Sequence, residues 1–177
     1  QKMQAINKTI ETHINQGTPI NWNLSTDINL ITHYIITQFL QCDSFDMFED
    51  LLKKYKEISN DLINVCTAIV HYGYDFVVDM NQLHLAMRNL ALLKQIFKKD
   101  FDNAKLLLDE STYYYIEVSS IDGILGNLNA MQIMYFIQAF YTNDMSYLDN
   151  SKKAYDTIQS ICEVTKFYRH QDIAQKN

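Results

Sequence analysis

The sequence predicts an all-α fold of antiparallel helix pairs stacked side by side, and three observations carry that expectation. Apolar residues recur at spacings of three and four through most of the chain, as along Met3, Ile6, Ile10 and Ile14. Tight-turn residues are scarce, with one Pro and four Gly in 177 residues, which argues against an all-β chain. The stretch KKDFDNAKLLLDES at residues 98–111 brings one amphipathic segment to a turn at Asp100 and Phe101 and sends a second one away. Along that second segment Ala104, Leu108 and Ser111 keep a small, large, small order, which lets the ridges of one helix enter the grooves of another.

Composition bounds the function. With 47% hydrophobic and 20% charged residues the chain is globular in character. A domain of this size buries roughly 70% of the surface its unfolded form exposes and needs no disulfides for a core. The formal charge is −6, and no run of Lys or Arg exceeds two, so the chain lacks the concentrated positive surface that phosphate binding requires. Cys42, Cys66 and Cys162 are far apart and set in apolar periodic stretches, which points to buried thiols in a reducing compartment. There is no apolar run of roughly 18 residues to span a membrane and no basic-then-apolar leader. The chain begins at Gln1 and not at an initiator methionine, as expected of a segment cut from a longer polypeptide.

Taken in order, the first helix ends near Gly17 and Pro19, and Trp22 sits in a short connection. Ser25 and Asp27 are N-cap candidates for a second helix carrying Ile28, Ile31, Ile35 and Phe39, although Ile35 and Ile36 make a local strand conceivable. Asp43 and Ser44 cap a third helix running through Phe45, Phe48, Leu52, Tyr55 and Ile58. Asp61 starts a fourth, which Gly73 ends. A fifth, from about Met80 to Lys98, is apolar on more than one side and is expected to lie between neighbours. Asp100 caps the sixth. Residues 119–127, with Gly123 and Gly126, read as the clearest loop. A second buried helix covers 128–141, Asn143 and Asp144 break it, and a last helix runs from Leu148 to Phe167 before a polar tail that frays beyond His170. Hairpins at 80–111 and 128–161 recur about 48 residues apart, longer than the roughly 34 of a regular helix-pair array.

No catalytic or metal centre is legible. His13, His33, His71, His84 and His170 include no pair at i, i+3 or i+4, and no phosphate-binding or nucleophile motif occurs. Asp43, Asp46, Glu49 and Asp50 cluster at a helix start, where the dipole favours acids without any catalytic role. The GxxG spacing of Gly123 and Gly126 reads as a flexible connection. The informative residues are polar side chains on apolar helices: Arg88 and Asn89 in the fifth, and Asn129, Gln132 and Gln138 in the second buried helix. An amide donates and accepts at once, which suits a groove for an extended peptide; the same residues also fit an ordinary helix-to-helix polar face. Tyr113, Tyr114, Tyr115 and Tyr135 either line such a groove or belong to the core.

At Asp100-Phe101-Asp102-Asn103-Ala104 the chain resembles the turn and second-helix start of a tetratricopeptide repeat, with Leu108 and Ser111 at the large and small positions and Leu92 departing from the pattern. Together with NAMQIMYFIQAFYTNDMSYLDNSKKAYDTIQSI at 129–161, residues 80–170 are similar to the C-terminal part of the Rgg/MutR/PrgX-type peptide-sensing transcription regulators of Gram-positive bacteria. The resemblance implies a degenerate tetratricopeptide-like right-handed superhelix forming one domain over 1–177. It implies a cytoplasmic quorum-sensing regulator that binds a short pheromone peptide and forms a homodimer. DNA would be reached only through an N-terminal helix-turn-helix domain outside this sequence, with no enzymatic activity, cofactor, metal or membrane. Aligning Ala104 to the repeat's alanine puts Asn89 on the concave face, as the first choice for holding a peptide backbone. Arg88 and Gln132 come next, then Asn129, Tyr135 and Gln138. Two other readings stay open: a helical-repeat protein-interaction adaptor without DNA-binding output, and an all-helical enzyme whose site no motif reveals.

Overall fold

The computed structural model describes the backbone of residue 8 and of residues 22–76, 80–167 and 174–176, and their side chains apart from 22–25 and 72–76. The described residues are helical almost throughout and contain no strand: α1 (Trp22–Leu40), α2 (Phe45–Lys54), α3 (Lys56–Phe76), α4 (Met80–Lys98), α5 (Phe101–Glu117), α6 (Ile121–Thr142) and α7 (Ser146–Thr165). The all-α expectation holds. Of the first expected helix, at Met3 to Ile14, Lys8 alone is described, and it is helical; the rest lies outside the described residues. The chain divides into two compact units, Gln1–Leu93 and Lys94–Asn177, with the boundary inside α4.

In the first unit α1 buries Ile28, Thr32, Ile35, Ile36 and Phe39, one face at helical spacing, so Ile35 and Ile36 are helical core and not strand. Trp22 opens this helix and is not a connection, and Ser25 and Asp27 lie within it and do not cap it. Ser44 does cap α2, its Oγ accepting from the Met47 N–H at 3.2 Å, an interaction worth about 1 kcal/mol. Asp46 in the first turn and Lys53 and Lys54 in the last match the helix dipole. Phe48 meets Phe39 edge to face at 5.0 Å, fastening α2 to α1.

The expected helix through Ile58 instead breaks at Tyr55, which is buried, and α3 runs from Lys56 straight through Asp61. The break stays hydrogen-bonded: the Tyr55 N–H donates to the Leu51 carbonyl and the Ser59 N–H to the Tyr55 carbonyl. Residues 58–60 can be helical, so Asp61 has no free helix end to cap. Gly73 likewise does not end α3, which continues to Phe76.

In the second unit the end of α4 is held from another helix. Lys99 takes the left-handed conformation, φ 53°, which reverses the chain into α5. Its Nζ lies 4.8 Å from the centre of the Tyr141 ring, and the Tyr141 hydroxyl donates to the Ile96 carbonyl at 2.6 Å. That carbonyl is among the last four of α4, which have no partner within their own helix. Burial of this hydroxyl pushes the Tyr141 pKa up to about 12.

Asp100 caps α5 as expected, its Oδ1 accepting from the Asn103 N–H. Ala104, Leu108, Ser111 and Tyr115 form the buried face. The expected loop at 119–127 shrinks to the turn Val118–Ser120, in which Ser119 is left-handed at φ 55°. Ser120 then caps α6, its Oγ accepting from the Gly123 N–H at 3.2 Å. Gly123 is helical and buried; a Cβ there would overlap Tyr115 ring carbons Cδ1 and Cγ. The glycine serves close approach and not loop freedom. Four residues on, Asn127 Nδ2 reaches both Ser111 Oγ and Thr112 Oγ1, each at 3.0 Å.

Asn143 ends α6 in the left-handed conformation, as expected of the Asn143-Asp144 break. On α7, Ala154, Ile158 and Cys162 face inward, and Ile158 and Cys162 pack with Leu125 and Ala174. Ser151 Oγ donates to the Gln132 carbonyl at 3.0 Å. The tail does not fray at Ala174, which is 2% exposed and whose carbonyl accepts from Gln132 Nε2 at 3.2 Å.

Gly123→Ala separates packing from propensity. Alanine gains about 1 kcal/mol of helix propensity, whereas forcing a methyl into the buried Tyr115 ring costs about 1–3 kcal/mol and more where the ring cannot yield. Net destabilisation is expected in urea unfolding, and Tyr115→Leu in the same chain is expected to recover part of it.

Candidate functional site

The six residues singled out from the sequence fall in two groups. Arg88 and Asn89 lie in the first unit, on α4; Asn129, Gln132, Tyr135 and Gln138 lie in the second, on α6. Asn89 is 1% exposed, and its Nδ2 donates to Asn29 Oδ1 on α1 at 3.2 Å. Its own Oδ1 has no hydrogen-bond partner. Arg88, half-buried, projects its charge onto His33, one helical turn beyond Asn29 on α1. The structure thus brings Asn29, His33, Arg88 and Asn89 together as a polar seam between α1 and α4.

That seam carries an energetic cost. Thr32 Oγ1 on α1 and Gln82 Oε1, two turns before Asn89 on α4, are also buried and unpartnered. Each such acceptor costs about 1–3 kcal/mol relative to a satisfied one. A seam designed for stability alone would fill these positions with apolar side chains. Isoleucine periodicity alone does not reveal the α1 half; its signal in the sequence is Asn29, Thr32 and His33, at i, i+3 and i+4 in an isoleucine-rich helix.

On α6 the residues are committed differently. Gln132 is 7% exposed, with Nε2 on the Ala174 carbonyl and Oε1 unpartnered; it holds Ala174. Asn129 is buried at 5% exposure, while Tyr135 and Gln138 are half-buried. Tyr135 lies near Lys105 on α5, whose pKa is raised first by its hydrogen bond to Asp109 and by the Asp109 charge. The tyrosine triplet splits three ways, since successive helical residues point about 100° apart. Tyr115 is core at 2% exposure, Tyr114 is half-buried against it edge to face, and Tyr113 is 65% exposed.

The cysteines offer little chemistry. Cys42, Cys66 and Cys162 form no disulfide with one another, and burial pushes the Cys66 pKa up to about 12, far from a reactive thiolate. Cys42 is half-buried, its pKa raised by burial and by Asp43. Among the described residues no three His, Cys, Asp or Glu side chains converge as metal ligands, and no helix is long and apolar enough to cross a membrane. Compared with protein-family models, characterised proteins and solved structures, the chain matches none.

The seam has a pH signature. Although His33 keeps an exposed edge, protein packed around its ring, and secondarily the Arg88 charge, hold its pKa below the ordinary 6.5. The unfolded chain therefore takes up this proton more readily. Stability from the seam is present above pH 6.5 and lost as pH falls through the lowered value. Arg88→Gln is expected to raise the His33 pKa part of the way back, read from imidazole proton shifts during a pH titration. An unmoved pKa would separate the guanidinium from the seam.

Proposed function

We propose that this chain is the regulatory peptide-binding and dimerisation domain of a cytoplasmic bacterial transcription regulator of the Rgg/MutR/PrgX type. It takes a short imported signalling peptide and acts on DNA through a helix-turn-helix domain outside this sequence. The observation that carries the reading is Asn89: a buried amide with its donor held by Asn29 and its acceptor unspent. A peptide N–H is the natural complement of that oxygen, and the Arg88 guanidinium one residue away complements a peptide carboxylate. Binding then recovers free energy that the unpartnered Asn89 acceptor costs, and a peptide that prefers one arrangement of the seam shifts the domain's conformational equilibrium.

The remaining residues belong to the second unit and are a separate candidate surface on α6. Gln132 is a support residue first, since its amide already holds the Ala174 carbonyl. Tyr135 and Gln138, half-buried, keep surface to offer a ligand, and Asn129 lies deeper on the same helix.

Native mass spectrometry of the 177-residue chain, incubated with short hydrophobic peptides from the source culture medium, tests the proposal. A retained peptide is expected. Asn89→Ala and Asn29→Ala both break the Asn89–Asn29 bond and destabilise the fold by about 1–3 kcal/mol, but only Asn89→Ala is expected to abolish retention. A folded, helical protein that retains no peptide would contradict the reading, as would equal loss in the two variants.

A further inference from the structure

The outer face of α5 carries large apolar side chains in water. Leu106 is 69% exposed, Tyr113 65% and Ile116 57%. Leu106 and Tyr113 are seven residues apart, hence two turns along one line of the helix and ~10 Å from each other along its axis. They lie opposite the buried face of Ala104, Leu108, Ser111 and Tyr115, so no repacking of the same helix would cover them. Isolated exposed apolar residues are ordinary; two aligned on one helix with a third beside them form a patch.

The charges around this line have one dominant sign. Asp102 and Asp109 border it on one side and Glu110 and Glu117 on the other, all exposed. The one basic residue of α5, Lys105, is engaged with Asp109 at 2.8 Å, and that hydrogen bond keeps its ammonium protonated. The face is thus an apolar line between two acidic margins.

We infer that the outer face of α5 is a docking surface for a basic amphipathic helix of a partner protein, which lays apolar side chains between Leu106 and Tyr113 and sets Lys or Arg against the acidic margins. Charge selects the occupant. A second copy meeting this face through a twofold axis would oppose acid to acid, which is repulsive. Backbone selects its conformation. The peptide groups of α5 are spent within the helix, so an extended segment would find nothing to pair with, whereas a helix arrives with its own hydrogen bonds made. A single helix face lies at the small end of specific interfaces, so association is weak and salt-sensitive. This inference stands apart from the peptide seam and does not rest on it.

The test uses the whole chain and a fluorescent synthetic helix whose leucines fall at i, i+3 and i+7 between flanking lysines, with a glutamate-for-lysine version as control. Anisotropy is expected to show binding of the basic probe, weakening with salt, and none of the acidic one. Leu106→Gln with Tyr113→Gln is expected to weaken binding by about tenfold or more, and Glu117→Lys severalfold. Both variants change exposed positions, and an unaltered thermal melt by circular dichroism confirms their fold. The inference is overturned by any of four results: no binding, equal binding of both probes, binding indifferent to the double substitution, or self-association of the chain that the double substitution abolishes.

Discussion

Tyr115 occupies the space that a side chain at position 123 would need, and the closeness of α5 to α6 depends on that missing Cβ. Once the two helices are that near, Asn127, fully buried, can reach Ser111 and Thr112 together and satisfy its amide donor. Small side chains at Ala104 and Ser111 keep the rest of the buried face narrow. With α6 fixed, Tyr141 stands at the end of α4 to bond the Ile96 carbonyl, while the Gln132 carbonyl accepts from Ser151 and Gln132 Nε2 donates to the Ala174 carbonyl. The second unit is therefore a chain of dependencies that begins at one glycine.

Periodicity revealed most of this fold, and it failed where glycine and aspartate carry two meanings. Gly123 and Gly126, beside Ser119, Ser120 and Asp122, have the composition of a loop. Only the position of Tyr115, eight residues earlier and folded back, turns Gly123 into a packing residue. Asp61 has the chemistry of an N-cap but no free helix end to cap, whereas Ser44 and Asp100 meet the same chemistry at real helix starts. Asn89 was legible as a polar residue on an apolar helix; its partner Asn29 was not, because pairs sixty positions apart leave no local pattern. Gln132 was legible as a polar residue too, but its tie to Ala174 depends on a tail that sequence alone reads as polar and loose.

Polar groups divide the chain's interior into two kinds of place. Around Asn127 the hydrogen bonds to Ser111 and Thr112 close on themselves, which favours a single arrangement. Around Asn89, Gln82 and Thr32 acceptors remain buried without donors, a cost in stability that a ligand can relieve. The proposed peptide site is drawn from such an under-satisfied region, in keeping with the tendency of ligand-binding segments to come from the less stable parts of a protein.

Native-state hydrogen exchange of the α5–α6 seam measures the central dependency directly. If Gly123, Tyr115 and Asn127 hold the second unit together, amides of α5 and α6 facing the seam exchange in one slow class that opens only when the whole unit unfolds, with α7 opening at lower free energy. Seam amides that exchange faster than those of α7 would show that the unit is held together elsewhere.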